Sequence, residues 1–162
     1  MLVRLLYASR ASDDYTAPDL GGILQESKDW NARHEITGVL LSDNCHFLQC
    51  LEGPRDEVTF IFAKIAQDPR HTNVQLVDFH EASQRHFHGW AMKYTPSADV
   101  MRKLTQQTGL DAFEPLQLNA YQARRLIETF DRSLPKTDPQ TLAPTKGNWW
   151  RRLFGGKSRQ AA

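Results

Sequence analysis

Cysteine is nearly absent from this chain: Cys45 and Cys50 are the only two in 162 residues. On an extended strand they lie ~16 Å apart, well beyond the ~7 Å that a disulfide spans between Cα atoms. Both are therefore expected as free thiols in a reducing compartment. There is no CxxC pair and no Cys/His spacing of the kind that holds structural zinc. His86 and His88 share a face if their segment is extended, but two histidines without a third ligand are expected to be surface residues. No apolar run approaches the ~20 residues needed to cross a bilayer. The apolar start, Met1-Leu2-Val3-Arg4-Leu5-Leu6-Tyr7, is too short and wrongly flanked for a secretory leader. It is predicted to be the first strand, and the protein is expected to be cytoplasmic.

Glycine is missing where a phosphate-handling enzyme would need it. A phosphatase of the acylphosphatase type requires a glycine-rich anion loop and an arginine after its first strand. Here Ser9-Arg10-Ala11-Ser12-Asp13-Asp14 is acidic and glycine-free, and it repels a phosphate. Acids are missing from the C-terminal end: all 19 lie at or before Asp138, whereas Lys146, Arg151, Arg152, Lys157 and Arg159 follow it. Fifteen bases against nineteen acids leave the body at −4, and the tail carries +5. A body of that sign is not expected to bind nucleic acid directly, since a basic surface should dominate such a binder; the tail is left open.

What remains is an ordinary globular composition, 40% hydrophobic and 24% charged, long enough for one domain and an appendage. Leu2 to Ser9 is predicted as a strand with Val3, Leu5, Tyr7 and Ser9 on one face and Leu2, Leu6 and Ala8 on the other. Pro18 opens a helix bearing Leu20, Ile23, Leu24, Ser27, Trp30 and Asn31 at helical spacing. Ile36 to Leu41 and His46 to Glu52 form an antiparallel hairpin around Ser42-Asp43-Asn44. A second helix follows Gly53-Pro54, with Val58, Ile61, Phe62, Ile65 and Ala66 as its stripe. Val74 to Phe79 and Trp90 to Tyr94 complete the strands. The order β-α-β-β-α-β with a further strand predicts an α+β, ferredoxin-like, five-stranded mixed sheet. Both helices then cover one face. Asp99 to Gln107 and Leu116 to Arg132 are predicted helices for the other, the latter through Leu118, Tyr121, Leu126, Ile127 and Phe130. The expected division is 1–96, 97–132 and a disordered basic and aromatic tail, 133–162. Within that tail, 148–157 mixes tryptophans with bases. It is either a loosely packed end or a peptide for weak membrane-surface or partner contact.

The stretch Phe47-Leu48-Gln49-Cys50-Leu51-Glu52-Gly53-Pro54 is the most informative. Phe47, Gln49 and Leu51 share a face, which sets an amide between two large apolar residues. Such an amide needs a partner: a neighbouring hydroxyl or backbone group, or a ligand. Tyr7, Asn31 and Gln49 converge on the helix-covered face and line one slot, which a planar heteroaromatic with hydrogen-bonding edges would fill.

Five segments together resemble the BLUF family, blue-light sensors that hold a flavin non-covalently. They are 3–9, Trp30-Asn31-Ala32-Arg33 with Ile36-Thr37-Gly38-Val39-Leu40, 47–53, Asp68-Pro69-Arg70-His71 and Phe87-His88-Gly89-Trp90-Ala91-Met92. The resemblance implies FAD as cofactor and a sensor rather than an enzyme. It implies that Tyr7 is the electron donor, that Gln49 bridges Tyr7 to the flavin, and that Asn31 bonds the ring's carbonyl edge. Ser27, Asp68, Arg70 and His71 would flank the ring or the phosphate side. Ile23, Phe47 and Ile65 would wall it, with Trp30 stacking where the family often has histidine or another aromatic. Trp90 and Met92 would respond to light. A downstream signalling protein, or another copy of the chain, would receive the output. The competing readings are a light-insensitive module of the same fold that binds partners and, behind it, a small acylphosphatase-like enzyme.

Overall fold

The computed structural model describes residues 1–14, 17–43, 45–87, 93–94 and 98–133, and leaves undescribed the side chains of 17–23, 26, 93, 94 and 98. Its elements are β1 (Leu2–Ala11), α1 (Ala17–Arg33), β2 (Thr37–Ser42), β3 (His46–Pro54), α2 (Arg55–Ile65), β4 (His71–Glu81), β5 (Lys93–Tyr94), α3 (Ala98–Thr108) and α4 (Ala120–Ser133). A 3-10 turn at Pro115–Gln117 precedes α4. The strands run in the order β4-β1-β3-β2-β5. Neighbours are antiparallel, except that β5 lies parallel to β2. This is the predicted ferredoxin-like sheet, with β1 and β3 at its centre. The expected fifth strand is described only as Lys93–Tyr94; its first part, with Trp90 and Met92, lies outside the described residues.

The period-2 alternation of β1 and β3 builds two cores at once. Val3, Leu5, Tyr7, Phe47 and Leu51 pack with Val58 and Ile61 of α2. Leu6, Ala8, Leu48 and Cys50 pack with Met101 and Leu104 of α3 and with Leu126, Ile127 and Phe130 of α4. Every residue of β1 from Leu5 to Ser9 and of β3 from Phe47 to Gly53 is buried, because both faces are covered. Cys50 is one of those buried residues and Cys45 is exposed; both are free thiols. None of the described helices is long and apolar enough to cross a membrane.

Three local expectations are corrected. Glu52 does not stop β3: the strand runs to Pro54, pairing Gly53 with Val3 and Pro54 with Leu2. Glycine is required there, since a Cβ at Gly53 would meet the Glu35 carbonyl at 3.0 Å and Ile36 at 3.2 Å. Second, β4 spans eleven residues rather than Val74 to Phe79. Its register against β1 shifts between Leu6 and Tyr7 and again between Ala8 and Arg10, with left-handed Asn73 (φ 50) inside the second shift. The first shift turns two consecutive residues to one side. Val77 packs on the α3/α4 cluster, and Asp78 pairs with Arg124 of α4 at 2.6 Å.

Third, the expected stripe on α4 is out of phase at its start. Leu118 is extended (φ −75, ψ 136) and packs from outside the helix. Asn119 and Gln122 cap the first turn reciprocally: the Asn119 amide donates to Gln122 Oε1 at 3.1 Å, and the Gln122 amide to Asn119 Oδ1 at 2.9 Å. The buried positions are then Ala123, Leu126, Ile127 and Phe130, and Tyr121 is 64% exposed. On α2, Ala66 likewise falls outside the buried stripe. The tail from 134 onward, including 148–157, lies outside the described residues.

Candidate functional site

Register decides what meets on the α1/α2 face. Tyr7 stands directly opposite Gln49 in the β1–β3 ladder, and Leu40 of β2 stands opposite Gln49 on its other side. Directly opposed residues on one face bring their side chains together. The Tyr7 hydroxyl donates a hydrogen bond to Gln49 Oε1, and both side chains are buried. The amide predicted to need a partner has a hydroxyl from the neighbouring strand. Burial, reinforced by the negative charge of Asp68, pushes the phenol well above its ordinary range, so Tyr7 keeps its proton at rest.

Around that pair lies a ring of aromatic groups. Phe62 of α2 has its ring centroid 5.6 Å from that of Tyr7, and His71, at the start of β4, has its own at 6.3 Å, edge-on. His71 also lies 4.8 Å from the Phe47 ring, and its Nδ1 is 2.8 Å from Ser9 Oγ on β1. Burial lowers the His71 imidazole to about 4, against the opposing pull of the Asp68 charge. The unfolded chain takes up this proton near pH 6.5 and the folded chain only near 4, so folding is disfavoured as pH falls through that interval. Stability is therefore expected to drop by up to ~3 kcal/mol between pH 7 and pH 4.5. Urea unfolding across that range measures it, and the slope should flatten in His71→Gln.

Next along the chain, Asp68 is buried and held by Arg70. The guanidinium donates to both carboxylate oxygens, at 3.0 and 3.1 Å from Nε and 2.5 Å from Nη2, and the Arg70 amide donates at 2.9 Å. Burial raises the Asp68 carboxyl, but these Arg70 bonds outweigh it and hold the group below its usual value. Arg70 is thereby fixed as a partly exposed cation beside the Tyr7–His71 cluster.

The α1 residues are placed less uniformly. Asn31 is 1% exposed, and its backbone carbonyl accepts the Ile36 amide at 2.8 Å, which draws β2 against the end of the helix. Ser27 is half-buried one turn earlier. Trp30 stacks on His34 at 3.5 Å and on Phe60 of α2 at 5.9 Å, while His34 Nδ1 lies 2.7 Å from Glu57 Oε2. It thus forms an aromatic column that joins α1 to α2. Ile65 packs half-buried against the same core as Tyr7. The Ile23 side chain, Trp90 and Met92 lie outside the described residues.

Ser9 and Phe62 belong to the site although neither is singled out for it in the sequence, and Glu52 lies outside it, on the other face. Period 2 already put Ser9 on the Tyr7 face, and Phe62 was on the predicted stripe. Glu52 continues the alternation Leu48, Cys50 onto the α3/α4 face, where it is fully buried with Arg4 donating at 2.7 Å. Burial raises its carboxyl, but the His86 and Phe87 amides and Arg4 together bring it below the ordinary value.

Comparison with known proteins bears on the whole arrangement. Residues 2–93 match the family described as BLUF, sensors of blue-light using FAD. A photoactivated adenylate cyclase subunit beta from Euglena gracilis is 34% identical over 94% of this chain and 16% of its own length. The blue light- and temperature-regulated antirepressor BluF of Escherichia coli is 38% identical over 46% of this chain and 18% of its own length. The chain thus spans under a fifth of these curated relatives. Among solved structures, ground-state BlsA superposes with a TM-score of 0.71 at 31% identity, over 88% of this chain and 95% of that one. Dark-state BlrB, described as a BLUF protein, gives 0.72 at 33%, over 82% and 97%. With the ferredoxin-like sheet and the opposed tyrosine and glutamine beneath its helices, this chain belongs to the BLUF family of flavin-based blue-light sensors.

Proposed function

We propose that the chain is a light switch built on Tyr7 and Gln49, with FAD held non-covalently between the sheet and α1/α2. The observation that carries this reading is the buried hydrogen bond from Tyr7 to Gln49. The residues present suit a flavin. Phe47, Phe62 and Ile65 offer apolar walls, Tyr7 and Gln49 a polar centre, and Arg70 a partly exposed cation that would suit a phosphate. We assign Ile23, Ser27, Trp30, Asn31, Asp68 and His71 to the remaining contacts, and Trp90 and Met92 to the response that follows. FAD is our choice of flavin, supported by the family's description.

A bound flavin supplies an oxidant when it absorbs blue light. Tyr7 would be the group that gives that oxidant an electron and later recovers it, and its proton has an acceptor already in place at Gln49 Oε1. The Gln49 amide has a donor end and an acceptor end, so rotating or tautomerising it reverses what it offers to either neighbour. The Tyr7 O–H bond broken on the way would be restored with the returning electron and proton, no covalent bond joins protein and cofactor, and what remains is a changed hydrogen-bond pattern. A local change of that kind is felt elsewhere only through a second element with two arrangements. We place that output in the α3/α4 layer, acting on a downstream protein or a second copy, with the sensor domain at 1–96, the capping helices at 97–132 and the tail at 133–162 contributing little to the photocycle.

The purified protein is expected to be yellow, to release FAD on acid or heat treatment, and to show a reversible red shift in blue light. Chromatography of the released flavin separates FAD from FMN. A colourless protein that takes up no flavin on reconstitution overturns the proposal.

A further inference from the structure

Glu52 sits three residues along β3 from Gln49 and faces the opposite side of the sheet. Its buried carboxylate accepts the His86 amide at 3.0 and 2.8 Å and the Phe87 amide at 3.1 Å. Arg4 donates to the same carboxylate from Nε at 3.0 Å and from Nη2 at 2.7 Å. One residue earlier, Arg85 donates to the Glu52 carbonyl at 3.2 Å and to the Glu35 carbonyl at 2.5 Å. Residues 85–87 are therefore fastened to the strand that carries Gln49.

The fastened segment is itself embedded in the opposite layer. The Phe87 ring is 1% exposed and belongs to the cluster formed with Met101, Leu104, Ile127 and Phe130. Phe87, Cys50 and Ile127 also line one small cavity of about 10 Å³. His86 Nε2 lies 3.6 Å from Asp131 of α4. A buried carboxylate bonded to consecutive amides is costly to separate from them, so the segment follows the strand rather than parting from it.

We infer that Glu52 is a positioning residue for the light response, the joint by which β3 carries a change at Gln49 through residues 86–87 into α3 and α4. This rests on the reading of Gln49 as the switch. Three variants of the flavin-loaded protein separate the joint from mere stability. Glu52→Gln keeps the volume but turns an NH2 group toward groups that donate. Arg4→Met removes the ion pair and leaves both amide bonds. Phe87→Leu leaves the clamp and shortens its reach into the α3/α4 cluster.

In the dark, Glu52→Gln is expected to speed hydrogen exchange at the 86 and 87 amides by at least ~10-fold. Arg4→Met should leave those amides protected even where its melting temperature falls as far. Under blue light, the wild-type protein should show an exchange change in 98–133. Glu52→Gln should keep the absorption red shift and lose that exchange change; Arg4→Met should keep both. If Glu52→Gln does not fold, Phe87→Leu carries the test, with the red shift and the dark protection of 86–87 retained and the exchange change reduced. A folded Glu52→Gln with the wild-type response in 98–133 overturns the joint, as does loss of that response in Arg4→Met alongside Glu52→Gln. A wild-type protein with no red shift overturns the switch itself, which is a different failure from an intact red shift with an unaltered Glu52→Gln response.

Discussion

Tyr7→Phe and Gln49→Leu are each expected to bind flavin and to lose the reversible red shift. Neither change opens a large void, since phenylalanine keeps the ring of Tyr7 and leucine most of the volume of Gln49. The Phe62 and His71 contacts to the ring at position 7 survive the first change, so its place in the core is kept. What disappears is the hydroxyl that donates to Gln49, or the amide that accepts it. Each variant also removes a buried hydrogen bond, worth ~0.5–1.5 kcal/mol. Both should therefore melt earlier than the parent yet remain yellow. Difference spectra before and during blue illumination are the measurement. A parental red shift and recovery in either variant would show that another group does the work, and Trp30, in its column with His34 and Phe60, would be examined first.

On the other side of the sheet, Phe130→Ala is expected to lower stability by ~3–5 kcal/mol through the cavity it leaves. Phe130 is 1% exposed and in phase with Ala123, Leu126 and Ile127, so α4 loses the largest anchor of its buried face. The red shift should persist in the folded fraction, because Tyr7 and Gln49 lie in the other core. Urea titration with absorption and circular dichroism on the same samples reads both effects. A loss under ~1 kcal/mol would mean that α4 is not held through this ring.

The parts of the fold legible in the sequence are those where alternation is unbroken. On β1 and β3, period 2 assigned Tyr7, Phe47 and Leu51 to one core and Leu6, Leu48 and Cys50 to the other, as found. β4 is longer than its predicted six residues because its polar ends, His71 to Asn73 and His80 to Glu81, carry no apolar signal. An edge strand pairs on one side only and tolerates them. Its register shifts then break the alternation on which the reading depended. At α4 the reciprocal cap of Asn119 and Gln122 reset the helical phase, which put Tyr121 in solvent. Within the site, the Tyr7–Gln49 meeting was legible because both lie on strands. The Ser9–His71 contact was not, since it depends on where β4 begins.

The sheet also has an uneven stiffness. Its two middle strands are bonded along nine consecutive pairs from Leu2–Pro54 to Arg10–His46. Toward the β4 margin the lattice thins, since β4 is interrupted by two register shifts against β1. In such a mesh, a strain applied at the rigid centre is not relieved there. It is taken up where fewer bonds resist. A rearrangement at the middle is therefore passed outward, through whatever is bonded to the central strands, before it is absorbed.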